Sequence, residues 1–281
     1  MNTTNREWTP RIWQGCTLSA WLRLVCRNRL AVSPSLAYIP YVLTHVSLIH
    51  SVLRLLQEVV HGTRPGRTPL AAPPIFIVGH WRTGTTLLHE LLILDERHSF
   101  PDTYQCLEPN HFLLTEGVAK RWMNWLLPSR RPMDNMKAGW NRPQEDEFAL
   151  CMMGQPSPYL TIAFPNHPPQ DQDAFDIRDL PAHAQRSWKQ AFARYLGELT
   201  YRDPRRLILK SPTHSCRIAT LLEMFPEAKF VHIMRDPYAV YPSTVNLWKR
   251  LYDTHGLQVP TYAGVEEYVL STYPMLYEKL E

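Results

Sequence analysis

Between Leu36 and Val60 the apolar positions Ile39, Val42, Val46, Ile49, Leu53 and Leu56 recur at the three-and-four spacing of a helix. Thr44, Ser47, His50, Ser51 and Arg54 occupy the other side. The pattern predicts an amphipathic helix that lays its apolar stripe on the protein body. Residues 36–53 carry no formal charge, yet Pro40, His45 and His50 interrupt them. A true span is therefore disfavoured, and contact with a membrane surface through residues 36–60 is the second reading. The Pro/Gly-rich stretch 62–74 ends the pattern. It divides a helical N-terminal extension, 1–70, from a main domain, 71–281.

Beyond the connector, short apolar runs at 74–79, 207–209 and 229–234 predict buried strands. Helical patterns follow or precede them at 85–95, 145–153, 188–199, 214–225 and 239–248. Strands alternating with helices predict an α/β fold, a central parallel sheet flanked by helices. Residues 100–180 are irregular and proline-studded. Their aromatic residues Trp122, Trp125, Trp140 and Phe148 are expected in the core or in the wall of a substrate pocket.

Composition narrows the possibilities. Hydrophobic residues make up 44% and charged residues 20%, which describes a folded globular chain rather than a disordered one. A net charge of +4 is too small to indicate nucleic acid, and no nucleic-acid partner is expected; a small anionic ligand is compatible. Five cysteines, at 16, 26, 106, 151 and 216, form no CxxC pair, so neither a disulfide framework nor a zinc ribbon is expected. Arg6, Arg11, Arg23, Arg27 and Arg29 break up any secretory apolar segment. These features point to a cytoplasmic protein, with peripheral membrane contact as a variant. His89-Glu90 opens like a zinc-protease motif, but Ile93 stands where the second histidine belongs. The remaining histidines show no metal-ligand spacing, and no metal is expected.

Two motifs carry candidate chemistry. Gly79-His-Trp-Arg-Thr-Gly84-Thr85-Thr86 lies between a predicted strand and a predicted helix, with the spacing of a P-loop. Such a loop turns backbone N–H groups and a helix N-terminus toward one anion. The lysine of a nucleotide triphosphatase is replaced by Thr85, and the basic residue sits earlier, at Arg82. That counts against a P-loop kinase or NTPase, which stays open as a rival, as does a non-catalytic membrane-associated interaction protein. The second motif, 230–237, ends a strand in Arg235-Asp236-Pro237, with Ser243 two helical turns on. An arginine there stands at the carboxyl edge of the sheet, where α/β folds bind ligands.

Together these residues resemble the sulfotransferases that use 3′-phosphoadenylyl sulfate. The loop 79–86 is similar to their 5′-phosphosulfate loop, and Arg235 with Ser243 to their 3′-phosphate element. Leu209-Lys210-Ser211-Pro212-Thr213-His214 and the segment Arg142 to Phe148 resemble bacterial members. The resemblance covers roughly residues 70–250. It implies the P-loop-like sulfotransferase fold, and transfer of a sulfuryl group to a hydroxyl or amine on a carbohydrate, lipid or small molecule, with no obligatory metal. It implies that Arg82, Thr83, Gly84, Thr85 and Thr86 hold the phosphosulfate, Arg235 and Ser243 the 3′-phosphate, and that Lys210 stabilises the leaving group. Three candidates remain for the general base: His214, slightly preferred for its closeness to Lys210, Glu145 in the acidic triplet 145–147, and Glu108. The triplet can also be read as a solvated helix start. Family members continue with helices beyond the region of Trp248, whereas this chain stops within a helical run at Leu280-Glu281, which leaves a C-terminal truncation open.

Overall fold

The computed structural model describes residues 11–122 and 139–280. Four parallel strands form the sheet: β1 (Ile75–Val78), β2 (His98–Ser99), β3 (Arg206–Lys210) and β4 (Lys229–His232), in spatial order β2-β3-β1-β4. In register, Phe76 lies beside Leu209 on one side and Phe230 on the other. β1 and β3 are buried almost throughout, as apolar runs in a covered parallel sheet should be, whereas β4 is an exposed edge. Ten α-helices accompany the strands among the described residues: α1 (Leu18–Arg27), α2 (Tyr38–His61), α3 (Thr85–Leu92), α4 (Thr103–Leu107), α5 (Phe112–Trp122), α6 (Asp146–Met152), α7 (Ala182–Arg202), α8 (Ile218–Met224), α9 (Pro237–His255) and α10 (Val265–Leu280). The expected α/β architecture is present. The helix expected over 214–225 is divided into a 3₁₀ turn, Pro212–Cys216, and α8, because Pro212 starts a tight turn whose residues are wholly buried.

Two apolar clusters fill the layers. One joins Phe76, Leu207, Leu209, Trp188, Phe192 and Tyr195 beneath the sheet. The other joins Trp13, Trp21 and Leu43 of the extension to Trp81, Trp248 and Leu276. The extension is thus helical and shares a core with the C-terminal third. Arg11 donates to the carbonyls of Thr254 and Gly256, and Trp13 Nε1 donates to that of His255 at 2.8 Å. The connector's turn Pro65–Arg67 packs on α7.

One expectation is corrected in part. Helix α2 turns its polar side inward and leaves much of its apolar surface outside, although Ile39 and Leu43 near its start are buried and Val46 and Leu53 are half-buried. Ser47 and Gln57 are buried, Thr44 Oγ1 accepts from Trp21 Nε1 at 3.0 Å, and Ser51 Oγ accepts from Leu18 N at 2.8 Å. Val42, Ile49 and Leu56, read as core-facing, are exposed, as are Leu48, Val52, Leu55 and Val59. The periodicity gave the helix correctly, but not how much of its apolar side the body covers. The start of α1 and the N–H groups it leaves unpaired made the hydroxyl side the better partner. Of the aromatic group 122–148, Trp140 is buried edge-on to Tyr104 and Phe148 packs on Tyr159, whereas Trp122 is exposed; Trp125 lies outside the described residues.

Candidate active site at the carboxyl edge of the sheet

The loop after β1 is built for close approach. Gly79 and Gly84 have φ of +150° and +102°, and a side chain at Gly79 would meet the Ile233 carbonyl at 2.6 Å. Thr83 Oγ1 donates to the His80 carbonyl at 2.7 Å, closing the turn from within. Arg82 sits in the left-handed region at φ 67°, a strained conformation for a non-glycine residue. Helix α3 begins at Thr85, so its first N–H groups face the loop.

The strained turn aims Arg82 across to α9, where its Nε donates to Ser243 Oγ at 2.8 Å. Arg235 Nη1 donates to the Arg82 carbonyl at 3.3 Å. The two anion motifs, more than 150 residues apart in sequence, therefore meet: Arg82, Ser243 and Arg235 form one basic and hydroxyl cluster beside Gly84, Thr85 and Thr86. Thr83 and Thr85 are buried and Arg235 is exposed.

Lys210 ends β3, and its Nζ donates to Glu145 Oε1 at 2.7 Å; the lysine is 1% exposed. The other oxygen of Glu145 accepts from Tyr159 Oη at 2.5 Å, and Tyr159 Oη accepts from Trp81 Nε1 at 2.8 Å. An indole N–H can only donate, so the phenolic hydrogen must point to Glu145. Burial first, and the negative charge of Glu145 second, push the Tyr159 hydroxyl well above its ordinary value, keeping it a neutral donor. Trp81 belongs to the loop itself. Two donor arms thus converge on Glu145, one from the loop through Trp81 and Tyr159 and the other from Lys210. Sequence reasoning missed Tyr159 altogether, since nothing local marks it; Trp81 could have been noticed from its place inside the loop.

The other base candidates are placed differently. His214 is fully enclosed, edge-on to Phe76 at 5.2 Å, with Nε2 2.6 Å from Asp146 Oδ2. Burial would raise Asp146, but the charge and hydrogen bond of His214 outweigh it and hold its carboxyl below the ordinary range. Glu147 is equally buried, accepting from Arg217, Thr213 and Ser157. The reading of the triplet as a solvated helix start is therefore corrected: Asp146 and Glu147 face the interior, and Glu145 stands at the boundary, 15% exposed. Glu108 faces His50 and His111, each at 3.2 Å, rather than Lys210. Asp102 caps α4 and is paired with Lys120; burial pushes it up to about 6 against the pull of that lysine. Geometry brings together Lys210, Glu145, Arg82, Ser243 and Arg235, and sets His214 apart.

A model of the sulfotransferase family matches residues 73–278, beginning where the connector ends. The omega-hydroxy-beta-dihydromenaquinone-9 sulfotransferases Stf3 of Mycobacterium bovis and Mycobacterium tuberculosis are each 52% identical over 276 residues, covering 98% of this chain and 71% of theirs. The crystal structure of sulfotransferase STF9 from Mycobacterium avium superposes with a TM-score of 0.57 at 20% identity. That match covers 89% of this chain, which spans 64% of the length of STF9. The parallel sheet, the glycine-shaped loop with its arginine and the match over the whole main domain agree: the chain belongs to the sulfotransferase family.

Proposed function

We propose that the chain transfers a sulfuryl group from 3′-phosphoadenylyl sulfate to the hydroxyl of a lipid alcohol. The meeting of Arg82, Ser243 and Arg235 beside the loop carries this reading, because the donor has two separated anionic groups. The loop N–H groups and Thr85 and Thr86 would hold the phosphosulfate, and Arg235 and Ser243 the 3′-phosphate. Glu145 would act as base, in preference to His214, because it is the carboxylate that reaches both the surface and Lys210. The acceptor hydroxyl gives its proton to Glu145, its oxygen bonds to sulfur, and the bond from sulfur to the bridging oxygen breaks. The electron pair leaves on the phosphate of the bisphosphate product, where Lys210 neutralises it. The Lys210–Glu145 pair positions both groups beforehand.

The acceptor class rests on two supports. The Stf3 relatives are named for an omega-hydroxylated dihydromenaquinone, an isoprenoid alcohol. Helix α2 also offers an uncovered apolar face about 36 Å long. Its segment Pro34–His61 is long and apolar enough to cross a membrane, with mean hydropathy 1.4 over 18 residues of which 22% are buried. A helix with satisfied polar groups inward and Val42, Ile49, Val52 and Leu55 outward suits lying on a lipid surface, where such an acceptor would be met. Donor carrying radiolabelled sulfate should label an isoprenoid alcohol in vesicles and leave sugars and amines unlabelled; a chain that binds the bisphosphate but labels only water-soluble acceptors refutes the lipid assignment. The chain should float with anionic vesicles and Ile49→Asp/Leu55→Asp should remain in solution. Concentration-dependent dimerisation lost in the same variant, without flotation, would instead assign the face to a second copy.

A further inference from the structure

We propose that His50, Glu108 and His111 bind a divalent transition metal, zinc by preference, that clips the surface helix α2 to the corner between α4 and α5. The proposal does not depend on the sulfuryl-transfer reading. His50 lies on the inward side of α2, Glu108 ends α4, and His111 immediately precedes α5. No spacing in the sequence links them; the fold does. One donor atom from each lies within 4.8 Å of the other two. His50 Nδ1 and His111 Nε2 are each 3.2 Å from Glu108 Oε2. Two ligands about 2.0 Å from a tetrahedral zinc are separated by about 3.3 Å, so these are the edges of such a site.

The hydrogens around His111 sharpen the argument. Thr115 Oγ1 donates to the His111 carbonyl at 3.0 Å, which uses the only hydrogen of that hydroxyl. The same oxygen accepts from Tyr104 Oη at 2.8 Å, and lies 2.9 Å from His111 Nδ1. With the Thr115 hydrogen on that carbonyl, Nδ1 carries the ring hydrogen, and in a neutral imidazole Nε2 presents a lone pair. That lone pair faces a carboxylate oxygen, and His111 is 2% exposed. His111 Nε2, His50 Nδ1 and Glu108 Oε2 are all buried atoms without a hydrogen-bond partner. Three buried ligand atoms without hydrogen-bond partners, gathered about one point, suit a cation. Fixing one imidazole nitrogen by an outer hydrogen bond is also how metal-ligating histidines are oriented. Two nitrogens and a carboxylate suit zinc better than magnesium or calcium. His50 and Glu108, with side chains 12% and 17% exposed, leave a fourth position for water.

The test uses the full chain without a histidine tag, stripped with a chelator and titrated with Zn²⁺ by calorimetry, with Co²⁺ as the optical probe. One equivalent should bind saturably, raise Tm, and give the visible absorption of tetrahedral Co²⁺. Glu108→Gln and His111→Gln should each weaken zinc binding at least ~10-fold, as loss of a ligand requires. Thr115→Val keeps all three ligands and nearly the same volume; it should still weaken binding ~10- to 100-fold by releasing the His111 ring. Absence of saturable binding to the folded chain overturns the proposal, as does affinity unchanged in the near-isosteric Glu108→Gln and Thr115→Val, which places the zinc elsewhere. Should His111→Gln fail to fold, those two variants decide the matter.

Discussion

Removing both members of the Lys210–Glu145 pair should cost less than the sum of the two single removals. At 2.7 Å and an effective dielectric of 20, two unit charges attract by about 6 kcal/mol. Taking the two groups out of water returns several of those, and more for Lys210, at 1% exposure, than for Glu145. Glu145→Gln leaves a buried ammonium facing a neutral amide, and Lys210→Met leaves a carboxylate held by Tyr159 alone. Each should lose about 3–5 kcal/mol of stability, whereas the double variant Lys210→Met/Glu145→Gln has no stranded charge and should recover about 2–3 kcal/mol of the summed loss. Denaturant unfolding of all four proteins at pH 7, with unchanged m values, measures the coupling. Additive losses, with coupling under about 0.5 kcal/mol, would show that the pair does not form in solution. The same variants test the chemistry. Lys210→Met should lower kcat by ~10²–10³-fold, and Glu145→Gln by ~10²–10⁴-fold while still binding 3′-phosphoadenosine 5′-phosphate. Near-full turnover in Glu145→Gln would remove Glu145 from the mechanism.

Arg82→Ala should weaken binding of the bisphosphate by about 1.5–3 kcal/mol, or ~10- to 100-fold, by calorimetry, since it removes the link to Ser243 together with a ligand-facing charge; unchanged affinity refutes the cluster. Arg235→Ala should erase most of an at least ~10-fold preference for the bisphosphate over AMP, and equal affinities in the unmutated chain would favour a kinase. His214→Ala should cost about 3–5 kcal/mol of stability, because it opens a cavity beside Phe76 and leaves Asp146 unpaired; a fully stable variant lacking only turnover would restore His214 as base. Acid dependence comes from His80, which burial lowers to about 4, and above all from His255, whose Nδ1 accepts from Ile12 N and whose pKa burial lowers to about 3. The depressed value means that its stabilisation is present above pH 6.5 and drains away below it, at about 1.4 kcal/mol per pH unit. Burial raises Glu198 to about 7 and Asp102 to about 6, and these gain stability as pH falls through the same range, so total stability should change little between pH 6.5 and 4.5. The opposing parts separate in His255→Gln, whose deficit relative to the unmutated chain should shrink by about 3 kcal/mol over that range; a constant deficit contradicts the assignment.

What could be read from the sequence was local. The strands at 75–78, 206–210 and 229–232 are short apolar runs ending in glycine, lysine or arginine, and both anion motifs are contiguous enough to recognise. Facing was not legible. The period of α2 defined two sides, but the partners of Thr44 and Ser51 lie on α1, which nothing in α2 encodes. Glu145, Asp146 and Glu147 are chemically near-equivalent neighbours whose roles diverge only through tertiary partners. Tyr159 reaches Glu145 from a 3₁₀ turn 14 residues on, and His50 reaches Glu108 across 58, with no periodic signal in between.

Three consecutive acids engage one consecutive stretch on the other side: Glu145 with Lys210, Asp146 with His214, and Glu147 with Thr213 and Arg217. The same stretch holds the anion loop, since Gly79 N donates to Ser215 Oγ at 2.9 Å. These locks differ from one another, so α6 cannot slip by one position without burying mismatched charges. Glu145, the proposed base, is therefore indexed to the sheet through Lys210. The chain around it can vary to suit a different acceptor, provided that Ser157 and Tyr159, which hold Glu147 and Glu145, keep their places. Substrate choice and proton transfer are, in this architecture, separately editable.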